Sequence, residues 1–219
     1  MINSSFYSYL KNRLEKPLPG QEAHLQMAPA PVDGATAFRM EADEQASASS
    51  VMVLLFENEC GIYELILTLR TDSISHGGQI SFPGGRSDAN ESAVQTALRE
   101  MEEEIGIGKK GVQVAGTLSQ LFLERSNNLI TPVMGYLPSK PDMKINPLEV
   151  EEVFCVPLEV LNSNKNLVKK PWNLREQTYE VPYWNIHSVP LWGATAMIIS
   201  ELMELYKEFS LNSENRTKS

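Results

Sequence analysis

Residues 85–107 read Gly85-Arg86-Ser87-Asp88-Ala89-Asn90-Glu91-Ser92-Ala93-Val94-Gln95-Thr96-Ala97-Leu98-Arg99-Glu100-Met101-Glu102-Glu103-Glu104-Ile105-Gly106-Ile107. Val94, Ala97, Leu98, Met101 and Ile105 recur at the three-and-four spacing of one helix face, which predicts a helix over residues 90–105. Asn90 is suited to cap its start and Gly106 to stop its end. On that helix Glu100, Glu103 and Glu104 stand at i, i+3 and i+4, so their carboxylates share a face and repel by a few tenths of a kcal/mol per pair. A divalent cation offsets such repulsion, and oxygen-only ligands suit Mg²⁺ or Mn²⁺ better than zinc. Most isolated acidic runs are only solvated helix faces. Here a diglycine precedes the helix, the apolar stripe fixes where the acidic face points, and Gly106 ends it two residues after the last glutamate. The pattern fits a loop–helix–loop that holds cations against a substrate.

Working outward, Val51–Phe56 and Glu64–Leu69 are compact apolar runs around a polar, glycine-containing turn, the signature of a hairpin. Residues 71–90 are rich in Gly, Ser and Asp and read as a long structured loop. Strands are expected at 112–118, 129–137 and 152–156, one more at Ala35–Arg39, and a strong helix at 194–206. An N-terminal helix is expected over 4–16, with Phe6, Leu10 and Leu14 four apart and Pro17 and Pro19 closing it. Strands and helices mix without regular alternation, which predicts an α/β (α+β) sandwich with a mixed sheet. The expected division is an N-terminal helix and lead-in over residues 1–34, one catalytic domain over 35–211 and a polar tail over 212–219.

The chain has 219 residues, a net charge of −9 and a pI near 4.9. An acidic protein of this size argues against nucleic acid and anionic membranes as partners, although a bound cation can still present an anionic small molecule with favourable charge. Cys60 and Cys155 stand alone, without metal-knuckle spacing. No apolar run approaches the roughly 18 residues of a membrane span, and no signal-peptide pattern opens the chain. Cytoplasmic location is the expectation.

Gly85, Glu91, Arg99, Glu100, Met101, Glu103, Glu104, Gly106 and Ile107 stand in the order and spacing G-x5-E-x7-R-E-U-x-E-E-x-G-U, with U a bulky aliphatic residue. This resembles the signature of Nudix hydrolases without a gap. The resemblance implies the Nudix fold, an α/β/α sandwich carrying a catalytic loop–helix–loop. It also implies Glu100, Glu103 and Glu104 as metal ligands together with the backbone at Gly85, and Glu91 with Arg99 as a structural salt bridge.

The flanks are similar to the coenzyme A diphosphatases of that superfamily. They include Leu67-Thr68-Leu69-Arg70, then His76-Gly77-Gly78-Gln79-Ile80-Ser81-Phe82-Pro83-Gly84-Gly85, then Thr131–Tyr136, Pro147–Phe154 and Pro190–Ala196. By this likeness the substrate is coenzyme A or an acyl-coenzyme A, cleaved to 3′,5′-ADP and (acyl-)4′-phosphopantetheine, and a homodimer is expected. Arg70, His76, Gly84 and Gly85 are the candidate substrate contacts. Glu103, Glu104 and Glu100 are the catalytic candidates, with Glu149 and Glu152 as proton acceptors outside the signature. One departure stands out: Thr71–Ser75 holds no arginine or lysine where the family has a basic residue before the histidine. Two alternatives therefore stay open, a Nudix hydrolase of another nucleotide derivative (ADP-ribose, NADH, a dinucleoside polyphosphate or a nucleoside triphosphate) and a nucleotide-sensing module without catalysis.

Overall fold

The computed structural model describes residues 5–33, 41–42, 45–72, 77–174 and 176–217. The strand expected at Ala35–Arg39 and the side chain of His76 lie outside them.

The apolar run of β2 (Ser47–Glu57) is buried on both sides, as a central strand covered on two faces requires. Met52, Leu54 and Phe56 face one core, and Val53 and Leu55 the other. β2 runs parallel to β8 (Asn128–Leu137) from Ser47↔Asn128 to Phe56↔Leu137. Its other edge is shared. The far end pairs with β3 (Tyr63–Arg70) in the expected hairpin, while the near end pairs with β5 (Gly84–Arg86), Ser50 opposite Gly85. β3 turns away to pair with β4 (Ile80–Ser81) and β9 (Val150–Pro157), and β6 (Gln113–Thr117) and β7 (Leu121–Leu123) both line β8. The sheet is thus mixed and splits at β2, with Gly84 and Gly85 at the split.

One face carries α3 (Ala93–Ile105), whose Ala97, Met101 and Ile105 pack on Met52, Leu54, Ile66 and Val133. The other carries α1 (Ser5–Arg13), α4 (Leu158–Asn162) and the long α5 (Gly193–Thr217), with Phe6 and Leu10 of α1 in the same core as Ile198, Leu202 and Tyr206 of α5. This is the expected α/β/α sandwich. A smaller sheet, β1 (Ala30–Pro31), β11 (Gln177–Trp184) and β10 (Leu167–Leu174), stands beside it. The β10–β11 hairpin is an addition to the sequence reading, as is α2 (Gly20–Leu25). α5 runs eleven residues beyond the expected end at 206, through most of the stretch read as a polar tail. No helix among the described residues is long and apolar enough to cross a membrane.

The start of α3 differs from expectation. Asn90 has φ +73, a left-handed turn conformation that asparagine tolerates, and so cannot cap the helix. Ser92 caps it instead, accepting from Gln95 N at 3.3 Å while the Gln95 side chain accepts from Ser92 N at 2.8 Å. Gly106 ends the helix at φ +71, where an added Cβ would lie 2.8 Å from the Lys144 carbonyl.

The N-terminal segment is held by a buried carboxylate. Glu201 of α5 is fully buried; it accepts from Gly20 N at 2.8 Å, Ser119 N at 3.0 Å and Ser119 Oγ at 2.6 Å, with His24 Nε2 at 3.4 Å. Burial alone disfavours its charge, but the groups from His24, Ser119 and Gly20 together outweigh burial and hold its pKa below the ordinary range. A lowered folded pKa adds stability above the unfolded value near 4.5, and that stability is lost as pH falls through the folded value. Glu201→Ala strands these donors, and urea denaturation at neutral pH is expected to show a loss of about 3–5 kcal/mol. Wild-type protein is expected to lose stability between pH 5 and 3 more steeply than Glu201→Gln.

Candidate active site

The acidic face of α3 lies beneath the β5 turn and the end of β3. Glu104 is its buried member, with 2% of its side chain exposed. Its Oε2 accepts from Gly84 N at 3.2 Å, and its Oε1 lies 3.6 Å from Arg70 Nη1. Burial pushes its pKa up to about 8. Arg70 and the Gly84 N–H oppose that shift, and the charges of Glu100 and Glu149 add to it. Glu100 is half-buried, and burial also raises its pKa, against the pull of Arg99. Its carboxylate fills the space over Gly85, where a Cβ would lie 2.5 Å from Glu100 Cδ. Glu103 is 54% exposed, and Glu102 faces outward to Lys109 at 3.2 Å.

Arg99 ties the loop to the helix. Its Nε and Nη2 hold the two oxygens of Glu91, each at 2.9 Å, in the bidentate geometry that makes such pairs strong. Nη1 donates to Glu100 at 2.7 Å and to Glu103 at 3.1 Å, and Nη2 reaches the Arg86 carbonyl at 3.1 Å. Glu91 also accepts from Thr96 Oγ1 and Asp88 N. Arg99, foremost among these donors, brings the Glu91 pKa down to about 2. The expected pair is present, and Arg99 does more than join it to the loop.

Of the residues proposed from sequence, the fold brings together Arg70, Gly84, Gly85, Glu100 and Glu104, with Glu103 at the rim. It does not bring Glu152 to them. Glu152 pairs in register with Leu69, which belongs to the α5-side core, and its carboxylate bonds to His187 Nε2 at 3.2 Å. Glu149 is the acid from that segment whose charge reaches Glu100 and Glu104. The signal for it was its place just outside β9, where the chain turns back over α3. Phe82 is buried in the α5-side core, and Trp184 is buried with its indole N–H on the Leu161 carbonyl at 3.1 Å. Trp172 and Trp192 pack edge to face. Both cysteines are free; Cys60 is exposed and Cys155 half-buried against the α3-side core.

The donor set at this face is all oxygen, and its desolvated carboxylates repel one another, which fits a hard divalent cation. Among the described residues no three acids are already gathered as a cage; Glu103 is turned to Arg99 instead.

Comparison with known proteins shows the family to which this fold belongs. The NUDIX domain model matches residues 46–177, more than half of the chain, which therefore belongs to the Nudix hydrolase family, enzymes that hydrolyse phosphoric anhydrides in nucleotide derivatives and generally use divalent metals such as Mg²⁺ or Mn²⁺. It is 38% identical over 142 residues to the Nudix hydrolase NudL of Photorhabdus laumondii, covering 64% of this chain and 75% of that protein. It is 29% identical over 187 residues to Nudix hydrolase 3 of Caenorhabditis elegans, covering 76% and 77%. The crystal structure of the Nudix hydrolase RenU from M. smegmatis shares the fold, with a TM-score of 0.55 and 16% identity over 82% of this chain and 94% of that one.

The glycines give a paired prediction. Gly85→Ala meets only the movable end of Glu100, so the protein is expected to fold with a nearly unchanged melting temperature but hydrolyse substrate about a hundredfold more slowly, the cost of a misplaced group of this size. Gly84→Ala meets the backbone of Ser50 and Val51 at 2.4 and 2.7 Å. It is expected to lower the melting temperature as well, which thermal denaturation of the two variants side by side would read.

Proposed function

We propose that this chain hydrolyses the pyrophosphate bond of coenzyme A or an acyl-coenzyme A, giving 3′,5′-ADP and 4′-phosphopantetheine or its acyl derivative. One observation supports the reading: the described ends of the segment that resembles the coenzyme A diphosphatase signature reach the acid cluster. Arg70, at its start, and the Gly84 amide, at its end, both meet Glu104.

Glu100, Glu103 and Glu104, with the backbone at Gly85, would hold Mg²⁺ or Mn²⁺. Bound there, the ion supplies charge neutralisation for phosphate oxygens and a lowered pKa for an attacking water. The chain's own groups do the positioning that phosphoryl chemistry chiefly needs. Arg70, still 22% exposed, presents a guanidinium to a phosphate oxygen, with His76, Gly84 and Gly85 as the remaining substrate contacts. Arg99 holds Glu100 and Glu103 in place. Glu103 is the accessible carboxylate to accept the proton of water, with Glu104 as the second acceptor. A second reading, another nucleotide derivative as substrate, is favoured by one feature: Thr71–Ser75 offers no cation for the 3′-phosphate of coenzyme A.

The test is incubation with Mg²⁺ or Mn²⁺ and coenzyme A, NADH, ADP-ribose, diadenosine polyphosphates and nucleoside triphosphates, followed by product separation. Release of 3′,5′-ADP from coenzyme A, reduced about 10²–10⁴-fold in Glu103→Gln, is expected. Turnover of another compound with coenzyme A intact overturns the substrate. Binding without turnover of any of them replaces catalysis with nucleotide sensing.

Glu104 adds a pH prediction. With its pKa near 8, the metal-free site keeps a proton at neutral pH that a cation must displace. Mn²⁺ affinity is expected to rise from pH 6 to about 8 and then level, with proton release measurable by calorimetry in two buffers. The raised folded pKa also means that the contribution of Glu104 to metal-free stability is full below about 4.5 and lost as pH rises through about 8. Glu104→Gln should therefore raise the metal-free melting temperature at pH 8.5 more than at pH 5.

A further inference from the structure

The segment from Lys144 to Val150 crosses the C-terminal end of α3, and its hydrogen bonds converge on one side chain. Lys144 N donates to the Ile105 carbonyl at 2.9 Å and Asn146 N to the Glu104 carbonyl at 2.8 Å, so the segment satisfies two of the carbonyls that a helix end leaves open. The Asn146 carbonyl accepts from Glu149 N at 3.1 Å and Val150 N at 2.9 Å. Its side-chain Oδ1 accepts from Leu148 N at 3.2 Å. With the oxygen so engaged, the amide nitrogen must point the other way, and it donates to Glu149 Oε1 at 2.9 Å. Thr71, next after Arg70, closes the far side: its N and Oγ1 donate to the carbonyls of Glu149 and Leu148, each at 3.1 Å.

This wiring has a consequence for charge. Glu149 is an acid whose charge acts unfavourably on two like-charged neighbours, Glu100 and Glu104. Left free, such a side chain would swing to solvent, because repulsion in a desolvated site exceeds that in water. Asn146 is the donor that keeps it inward. We infer that Asn146 is a positioning residue of the active site, which fixes the Glu149 carboxylate beside the end of α3 and so sets the affinity of the acidic face of that helix for a divalent cation. Asn146 has both ends of its side-chain amide taken up within the segment, by Leu148 N and Glu149 Oε1. It acts through Glu149, and its own backbone bond to Glu104 fixes both acids to one frame. The inference rests on α3 carrying the cation.

The experiment is a double-mutant cycle on the full chain with Mn²⁺ alone as the probe, read by electron paramagnetic resonance of free Mn²⁺. Asn146→Ser keeps a short acceptor for Leu148 N but cannot reach Glu149, and Glu149→Gln removes the charge. Each is expected to weaken Mn²⁺ binding about tenfold, as loss of an outer partner of a metal ligand does. The double variant should bind no more weakly than Glu149→Gln alone. Wild-type affinity in Asn146→Ser, or losses that multiply in the double variant, overturns the inference. If Glu103→Gln also binds Mn²⁺ like wild type, then the α3 reading itself has failed, a separate outcome. Should Asn146→Ser fold poorly, the Asn146 side-chain amide can be followed by ¹⁵N-correlated NMR in the wild type and in Glu149→Gln. A bonded amide proton that moves upfield when the carboxylate is removed supports the inference, and an unmoved one overturns it.

Discussion

The burial of one carboxylate on the last turn of α3 sets the terms for the rest of this molecule. Glu104 stands at the negative end of the helix dipole, beside Glu100 and within reach of the charge of Glu149, and almost out of water. Each of these disfavours its ionised form. Among the described residues, two groups answer it, Arg70 from the end of β3 and the Gly84 amide from β5. Both arrive because the sheet splits along β2, sending β3 to one side and β5 to the other. A side chain at Gly84 would clash with the β2 backbone and one at Gly85 with Glu100. The diglycine is therefore a requirement of close approach, not of flexibility.

Arg99 solves a second problem on the same helix. A row of acids with no basic residue in the last turn would favour unwinding. Arg99 spans the row from inside it, with Glu91 on one edge of its guanidinium and Glu100 and Glu103 on another. Because Glu91 belongs to the loop before the helix, the same cation fixes the direction of the loop. Thr96, Ser87 and the Asp88 amide complete that junction through Glu91 and Thr96. Loop and helix thus move as one unit, as a site that must present several acids in register requires.

How far this was legible in the sequence follows from the range of the interactions. The α3 helix, its apolar stripe, its stop at Gly106 and the Glu91–Arg99 pair are set by neighbours within a few turns, and their spacing carries them. The N-cap was misplaced by two residues because Asn90 and Ser92 are both good caps. The capping box to Gln95 and the left-handed backbone at Asn90 decide between them, and only the latter needs the fold. The β10–β11 hairpin was illegible for a physical reason: Lys169, Lys170 and Pro171 blunt an edge strand, which erases the apolar alternation that marks strands. Glu149 and Glu152 look equivalent in sequence. Glu149 lies just before β9, where Asn146 holds it, whereas Glu152 stands within β9 opposite Leu69 and bonds to His187.

The two faces of the sheet carry different burdens. On the α3 side the polar contacts of Arg70, Gly84 and Arg99 converge on the acid cluster. The α5 side holds the larger core, including α1, and its buried Glu201 anchors the N-terminal segment. Yet it also reaches the site: Thr195, near the start of α5, donates to the Ile80 carbonyl on β4, within the segment that leads to Gly84. The loop between β11 and α5 lays His187 on Phe154 and against Glu152, on the strand that follows Glu149. Loops on a rigid scaffold are where recognition varies most freely. The parts of this chain that discriminate among nucleotide derivatives are therefore best sought at β4, the His187 loop and the segment around Asn146. All three lie outside the signature, and the signature alone is silent about substrate.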